Sequence, residues 1–374
     1  FLRHGLSSPF SVRWKEVGTK DAGKHRTAPF ANHKGGLRGN ESRGGQAAPA
    51  QPSARPKACL RKRGLRAAAL APTMAAMTDK QATDTLDAAA LAHLQSWQGR
   101  SETLADSITA APVAALSATL DREDPEPADG TALPPLWHWM YFLPHARQSE
   151  LGPDGHPRRG GFLPPVPLPR RMWAGGRLRW EAGNALQVGQ KVQRRSTIGS
   201  VSHKSGRSGE LLFVLVEHAY SNDQGLALTE EHDIVYRAAA QPGDPAPTPQ
   251  KPPLDGQQTW SRTIVPDDVL LFRYSALTFN GHRIHYDRRY VTGVEGYPGL
   301  IVHGPLIATL LMDLLRRQMP GADVASFRFK AVRPTFDLHP FHVNGELQAD
   351  GKTVRLWASD HEGWLTMDAT ATLC

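Results

Sequence analysis

The chain has few cysteines and no apolar run long enough to cross a membrane. Only Cys59 and Cys374 are cysteines, which argues against a disulfide framework and a cysteine-based zinc site and fits a reducing compartment. The longest strongly apolar stretch, Leu306 to Leu315, contains Thr309 and Asp313 and is too short for a transmembrane helix. We therefore expect a protein without disulfides and without a membrane as partner.

Acidic residues are scarce near the start of the chain, so the net charge of +8 is unevenly distributed. Residues 1–77 contain 15 of the 44 Lys/Arg residues and 3 of the 36 Asp/Glu residues. The rest of the chain therefore has 29 basic and 33 acidic residues, a net charge of −4. Binding of nucleic acid needs basic residues on a folded face, whereas here they lie in a tail. We therefore expect no nucleic acid as partner.

Residues 1–77 lack apolar periodicity and are rich in Gly, Ser, Pro, Ala and Arg, which predicts a disordered tail. The chain starts with Phe1 and its first methionines are Met74 and Met77, so we favour a non-native extension before a cytoplasmic protein. A tail rich in Arg and poor in acidic residues is also typical of a transit peptide, which would direct the protein to the mitochondrial matrix. A basic arm that binds nucleic acid is the third interpretation.

The remainder divides at residues 239–257, a linker rich in Pro, Gly, Ala and Asp. Before it lies a domain of residues 78–238, and after it a domain of residues 258–374. The elements predicted in the first domain are helices at 88–97 and 107–120 and strands at about 186–202, 211–219 and 226–237.

The second domain has the clearer pattern. After a helical segment at 267–277 and a loop at 278–299, apolar residues recur in the stripe of a largely buried helix, which ends at Met319-Pro-Gly321. The stripe consists of Leu306, Ile307, Leu310, Leu311, Leu314 and Leu315. Strands with alternating polarity follow at 325–332, 341–349, 353–359 and 365–373. This order predicts an α+β fold in which an antiparallel sheet wraps around a helix.

The start of that helix carries candidate chemistry. In Ile301-Val-His-Gly-Pro-Leu306, Pro305 suits the first helical position and Gly304 leaves its N–H open to a ligand. The helix N-terminus adds partial positive charge, so Gly304 is a candidate donor to the oxyanion of an enolate formed from an acyl thioester. The alternative is that Gly304 only packs and caps the helix.

A histidine-rich segment precedes the helix: Phe279-Asn-Gly-His-Arg-Ile-His285-Tyr-Asp287. A polar group at Asn280 and an imidazole at His285, five residues apart on a loop, can hold one water molecule between them. One imidazole can take the proton of that water and later protonate the α-carbon. Taken alone, a histidine in such a segment is more often a hydrogen-bonded structural residue than a catalytic one.

Two segments resemble the MaoC-like, R-specific enoyl-CoA hydratase family. They are Tyr274-Ser-Ala-Leu-Thr-Phe-Asn-Gly-His-Arg-Ile-His-Tyr-Asp287 and Gly296-Tyr-Pro-Gly-Leu-Ile-Val-His-Gly-Pro-Leu306. The resemblance covers about the last 110 residues, from roughly Val265. It is closest to the subgroup of mesaconyl-C4-CoA (3-methylfumaryl-CoA) hydratases and fungal-type mitochondrial 3-hydroxyacyl-ACP dehydratases.

The resemblance implies a double hotdog, with a degenerate first copy in residues 78–238 and a catalytic copy in residues 258–374. In the first copy, Arg171-Met-Trp-Ala-Gly-Gly-Arg177 stands near the place of a missing His-Gly. The implied activity is addition of water to, or its removal from, an acyl thioester bound to CoA or to a carrier protein. We predict a short branched dicarboxylic CoA ester, with 3-hydroxyacyl-ACP as the alternative.

The implied catalytic residues are His285 as acid/base and Gly304 as oxyanion donor. Asn280 stands where the family has its catalytic Asp, and because an amide is no base we expect it to position the water. Substrate contacts are predicted for Tyr274, Tyr297 and His303, which lie in the two matching segments.

Other interpretations remain open. Asp287 could supply a carboxylate or merely cap a turn, and a metal could be held by His282, His285, Asp287 and His303. A thioester-binding protein without activity is a further alternative. Because the family needs no metal, we predict neither a metal nor a cofactor, and we expect a homo-oligomer.

Overall fold

A computed structural model describes residues 86–206, 209–238, 248–253 and 258–374, all within the compact unit Thr78–Cys374. The predicted tail, residues 1–77, lies outside the described residues, as does most of the predicted linker, 239–257. Within the described ranges, no helix is both long and apolar enough to cross a membrane.

The described ranges form one sheet of ten antiparallel strands together with five α-helices. The strands are β1 (Ser101–Ser107), β2 (Arg170–Trp180), β3 (Lys191–Gly206), β4 (Gly209–Asn222), β5 (Gly225–Arg237), β6 (Trp260–Ile264), β7 (Val324–Ala331), β8 (Phe341–Leu347), β9 (Thr353–Ser359) and β10 (Leu365–Leu373). The helices are α1 (Ala88–Gln95), α2 (Ala110–Thr119), α3 (Asp268–Leu277), α4 (Arg288–Gly293) and α5 (Gly304–Gln318).

The strand order reads the same from both edges of the sheet. The order is β1-β3-β4-β5-β2-β7-β10-β9-β8-β6, so β1 to β5 and β6 to β10 are arranged alike. The two sets of strands meet where β2 pairs with β7, with Arg177 opposite Arg328. The architecture is therefore two similar five-stranded halves joined into one continuous sheet.

Helix α5 occupies the core of the second half. Its ten residues from Leu306 to Leu315 are all buried, and the helix packs against β6, β8, β9 and β10. Pro305 stands in its first turn, where a missing N–H is tolerated, and Gly321, with φ of +80°, follows its end. The predicted sheet around a buried helix is therefore observed.

The first half has no such helix. Residues 120–169, all of them described, contain no α-helix but only short 3₁₀ turns. The core of this half is instead filled by the aromatic segment 136–142, in which Trp137 is buried and Phe142 contacts Tyr220 of β4 edge to face. Trp137 is part of the core, whereas Trp139 packs against it and also lines a cavity.

Three strands were missed by the sequence pattern: β1, β2 and β6. Strand β2 contains the segment 171–177, so this segment is not a helix start but the middle of the sheet. Its apolar alternation is weak because Arg177 pairs with Glu231 and Asp233 of the neighbouring β5. Cross-strand ion pairs replace the apolar pattern by which a central strand is usually recognised.

Candidate active site

The connection between α3 and α5 presents the histidine segment. Asn280 Oδ1 accepts a hydrogen bond from the His282 N–H at 3.0 Å, which forms a local turn. A single 3₁₀ turn, Arg283–His285, follows. These turns bring the His285 ring beside the segment that leads into α5.

His285 is buried, with 8% of its surface exposed, yet it lines the cavity described below. Its Nδ1 lies 2.7 Å from the Ile301 carbonyl oxygen. Because a carbonyl oxygen only accepts, Nδ1 carries the ring proton and donates it to this bond. Nε2 of the neutral ring is thus left with a free lone pair, as a general base requires.

Burial lowers the pKa of His285 to about 4. The hydrogen bond to Ile301 opposes this shift, and the charge of His156 adds to it. At neutral pH the imidazole is therefore uncharged and able to accept a proton.

His303 was predicted to contact the substrate, but its side chain lies in the core. It is fully buried and is not among the residues that line the cavity. Its ring stacks on that of His285, with centroids 3.8 Å apart and planes at 19°, and its Nε2 lies 2.8 Å from Ser275 Oγ. His303 therefore supports His285 from behind, because α5 begins directly after it and holds it in the core.

Gly304 is the first residue of α5, so its N–H has no acceptor within the helix. A Cβ at this position would meet no atom within 4 Å, and Gly304 lines the same cavity as His285. The following Pro305 has no N–H of its own. Gly304 therefore offers a backbone donor, strengthened by the helix dipole, to an anion in that cavity.

The cavity has a volume of about 1970 Å³ and is lined by residues of both halves. Its wall carries eight arginines but only two acidic side chains, Asp154 and Glu295. Glu295 is engaged by Arg170 and by the Tyr290 hydroxyl. The cavity is therefore strongly basic and suits an anionic ligand.

Three further predicted residues line this cavity: Asn280, Tyr274 and Tyr297. Tyr274 is almost fully buried and meets the His303 ring edge to face, so only a small part of it is open to a ligand. The Tyr297 hydroxyl accepts a hydrogen bond from Arg170 at 2.5 Å. The two tyrosines thus stand at different depths of the same wall.

Asp287 is a cap and not an acid of the site. Its carboxylate accepts the Tyr290 N–H at the start of α4 and pairs with Arg283 at 2.7 Å. The described ranges contain one group of side chains that could hold a metal ion. Of the four residues that the sequence suggested as metal ligands, only His282 belongs to this group. That group is Asp154, His156 and His282, whose ligand atoms lie within 4.8 Å of one another.

Sequence reasoning missed Asp154 and His156, which come from the first half. Their loop lies on the histidine segment: the Asp154 carbonyl accepts the Arg283 N–H at 2.9 Å, and the His156 and His282 rings are 4.0 Å apart. The Gly-Pro-Asp-Gly sequence at 152–155 indicates a turn, but nothing in it indicates a partner 130 residues away.

Comparison with known proteins shows which proteins this chain resembles. The family model described as hydroxyacyl-thioester dehydratase type 2 matches residues 136–337. A mesaconyl-C(4)-CoA hydratase of Chloroflexus aurantiacus is 48% identical over 74% of this chain and 96% of its own length. The mitochondrial hydroxyacyl-thioester dehydratase type 2 of Schizosaccharomyces pombe is 26% identical over 64% of this chain and 88% of its own.

A solved structure, a MaoC-like dehydratase from Phytophthora capsici, superimposes with a TM-score of 0.53 at 12% identity. It covers 76% of this chain and 97% of its own. The fold is thus a double hotdog, and the protein is a hydro-lyase of the hydratase and dehydratase class. The chain belongs to the hydroxyacyl-thioester dehydratase type 2 family, which confirms the resemblance found in the sequence.

Proposed function

We propose that the protein adds water to an enoyl thioester, or removes it from a 3-hydroxyacyl thioester, with His285 and Gly304 as its catalytic groups. One observation carries the assignment. The hydrogen bond from His285 Nδ1 to Ile301 frees Nε2, in the same cavity to which Gly304 offers its N–H. A base and an oxyanion donor on one cavity are what this reaction requires.

In the hydration direction, Nε2 of His285 takes one proton of a water molecule while the water oxygen bonds to the β-carbon. The electron pair of the C=C bond moves towards the thioester carbonyl and forms an enolate, whose oxygen accepts a hydrogen bond from the Gly304 N–H. Protonated His285 then returns the proton to the α-carbon. Asn280 helps to position the water, and dehydration follows the same steps in reverse.

For the substrate we propose a short branched dicarboxylic CoA ester such as mesaconyl-C4-CoA, on which the Chloroflexus relative acts by its name. Arg171 supports this choice. It lines the cavity close to Tyr236, and no carboxylate in the described part of the chain forms an ion pair with it. A half-buried guanidinium without a counter-ion is costly and is suited to an anionic ligand.

Arg171 is also close to the histidines. Burial is the largest cause of the low pKa of His282, and the charge of Arg171 contributes to it, as it does for His156. In mesaconyl-C4-CoA the free carboxylate is attached to the β-carbon that receives the hydroxyl group. A carboxylate bound by Arg171 would therefore hold that carbon beside the catalytic groups.

We further propose that residues 78–238 and 258–374 are the two hotdog copies and that the CoA arm enters between them. Residues of both halves line the cavity, and its arginines suit the phosphates of CoA. Tyr274 and Tyr297 would contact the acyl portion. The first copy then serves as a wall of the site, since it has no counterpart of α5 in its described residues.

A substrate panel tests the proposal. Purified protein is assayed with crotonyl-CoA, mesaconyl-C4-CoA and a 3-hydroxyacyl-ACP, and we expect the highest kcat/KM for mesaconyl-C4-CoA. Preference for the carrier-bound substrate would favour the dehydratase alternative, in line with the name of the Schizosaccharomyces relative. Binding of these thioesters without turnover would establish a non-catalytic binding protein instead.

We propose a cytoplasmic location, with the mitochondrial matrix as the alternative if the basic tail is a transit peptide. Cell fractionation and N-terminal sequencing of native protein distinguish the two. We also propose a homo-oligomer, because Val265, Val269 and Phe272 are apolar and more than half exposed. Light scattering of the purified protein tests this, and a monomer at all concentrations would contradict it.

A further inference from the structure

We propose that His156, fixed by Asp154, is a further residue of the active site and holds the reacting water together with His285. The inference rests on the proposed hydration reaction. It assigns a role in the chemical step to the first half of the molecule, which otherwise encloses the cavity and binds the substrate through Arg171.

The loop is attached firmly to the histidine segment. The carbonyl oxygens of Asp154 and Pro153 accept hydrogen bonds from the Arg283 backbone N–H and side chain, each at 2.9 Å. Gly155, with φ of +89°, packs so closely on Gly281 that no Cβ would fit between them. The position of His156 relative to the catalytic loop is therefore fixed by backbone contacts.

Asp154 fixes the orientation of the His156 ring. Its Oδ2 lies 3.0 Å from His156 Nδ1, and its Oδ1 accepts the His156 backbone N–H at 3.1 Å. Burial alone would raise the pKa of Asp154, but these hydrogen bonds and the charge of His156 hold it below its usual range. An ionised carboxylate only accepts, so Nδ1 donates and the free lone pair of the neutral ring is on Nε2.

Three imidazoles then lie close together on the cavity wall. The His156 and His282 centroids are 4.0 Å apart, and those of His282 and His285 are 5.4 Å apart. Burial lowers the pKa of His156 and that of His282, so neither carries a charge at neutral pH. An uncharged imidazole of this group can accept a hydrogen bond from a water molecule in the cavity.

The site needs such an acceptor because the Asn280 oxygen is already engaged, which leaves only the amide N–H groups of this side chain to donate to the water. This oxygen accepts the His282 N–H, and of the two acidic residues on the cavity wall Glu295 is bound by Arg170. In the proposed step His285 takes one proton of the water, and His156 Nε2 accepts a hydrogen bond from the other O–H. His156 gains no proton, so the balance of the hydration reaction is unchanged.

Two variants and one rescue test this role. His156→Ala and Asp154→Asn should each lower kcat by about 10- to 100-fold, the effect of losing one orienting contact, with KM little changed. Adding Asn280→Asp to His156→Ala should restore at least about 10-fold of that loss, because a carboxylate on the same loop supplies a new acceptor. The matched control is His145→Ala, since His145 is exposed and does not line the cavity.

The outcomes are distinguishable. Unchanged kcat in His156→Ala, or a folded His156→Ala variant that Asn280→Asp does not rescue, overturns the proposal. Loss of wild-type activity on treatment with EDTA, restored by Zn²⁺, would also overturn it, since Asp154, His156 and His282 would then be metal ligands. A wild type that hydrates no thioester removes the proposed function as well, whereas an active wild type with an unaffected His156→Ala removes this inference alone.

Discussion

Gly155 of the first half and Gly281 of the second lie in direct backbone contact, and a Cβ on Gly155 would overlap the Gly281 carbonyl oxygen. The loop that carries Asp154 and His156 is thereby seated on the loop that carries His285. Any residue other than glycine would push the two loops apart, and the positive φ of Gly155 adds strain to such a substitution.

Gly155→Ala should therefore lower kcat/KM by about 10- to 100-fold, because small displacements of positioned groups have effects of this size. The control is Gly130→Ala, which has a similar φ of +85° but open space where the Cβ would be. Both variants bear the backbone strain, and only Gly155→Ala bears the clash. Equal activities of the two would contradict a catalytic role for this contact.

His285→Ala should lower kcat by about 10² to 10⁴-fold, the usual contribution of a general acid/base, while the fold is retained. His282→Ala should have a much smaller effect, because His282 transfers no proton in the proposed step. Steady-state kinetics on both variants, with circular dichroism to confirm folding, provides the measurement. Similar losses at the two positions would indicate a shared structural or metal-binding role.

The pH dependence of kcat/KM should report the buried state of His285. The base must be neutral, and its pKa is lowered by burial from 6.5 to about 4. Activity should therefore persist below pH 6.5 and fall only as the pH drops through about 4, where the ring takes up a proton. An acidic limb near 6.5 in protein that is still folded would show that His285 is more exposed to solvent than described.

Arg171→Gln should lower kcat/KM for mesaconyl-C4-CoA by about 10- to 100-fold, the value of a charge-assisted hydrogen bond. Activity with crotonyl-CoA, whose acyl group has no free carboxylate, should be nearly unchanged. Arg195→Gln is the matched control, because Arg195 is exposed and does not line the cavity. Equal losses on both substrates would mean that Arg171 supports the site and does not select the acyl group.

The sequence predicted the second half much better than the first, for a physical reason. Helix α5 is buried along ten consecutive residues and begins at Gly304-Pro305, so both its composition and its start are visible locally. Strand β2 is equally central, but Arg177 in it forms an ion pair with Asp233 of the neighbouring β5. The sequence of β2 alone does not show this pairing.

The same limit applies to the site. His285 and Gly304 follow from short motifs, because the groups that define them are neighbours in sequence. His303 was assigned to the substrate because it lies within the motif, but the start of α5 turns it into the core. Asp154 and His156 depend on a contact between distant loops, which no local pattern encodes.

Asn280 provides the last prediction, since an amide stands where the family has a carboxylate. Asn280→Asp keeps the size of the side chain and the oxygen that accepts the His282 N–H. The added charge near His285 should raise the pKa of that imidazole by favouring its protonated form, so the acidic limb of the pH profile should move upward. The variant should keep measurable activity.

Asn280→Ala removes both the local turn and the amide that faces the cavity, so most of the activity should be lost. A comparison of kcat/KM across pH for the wild type and the two variants provides the measurement. If Asn280→Ala is as active as the wild type, the amide is not part of the site. The water would then have to be held by other groups, of which His156 Nε2 is the one left free by its carboxylate partner.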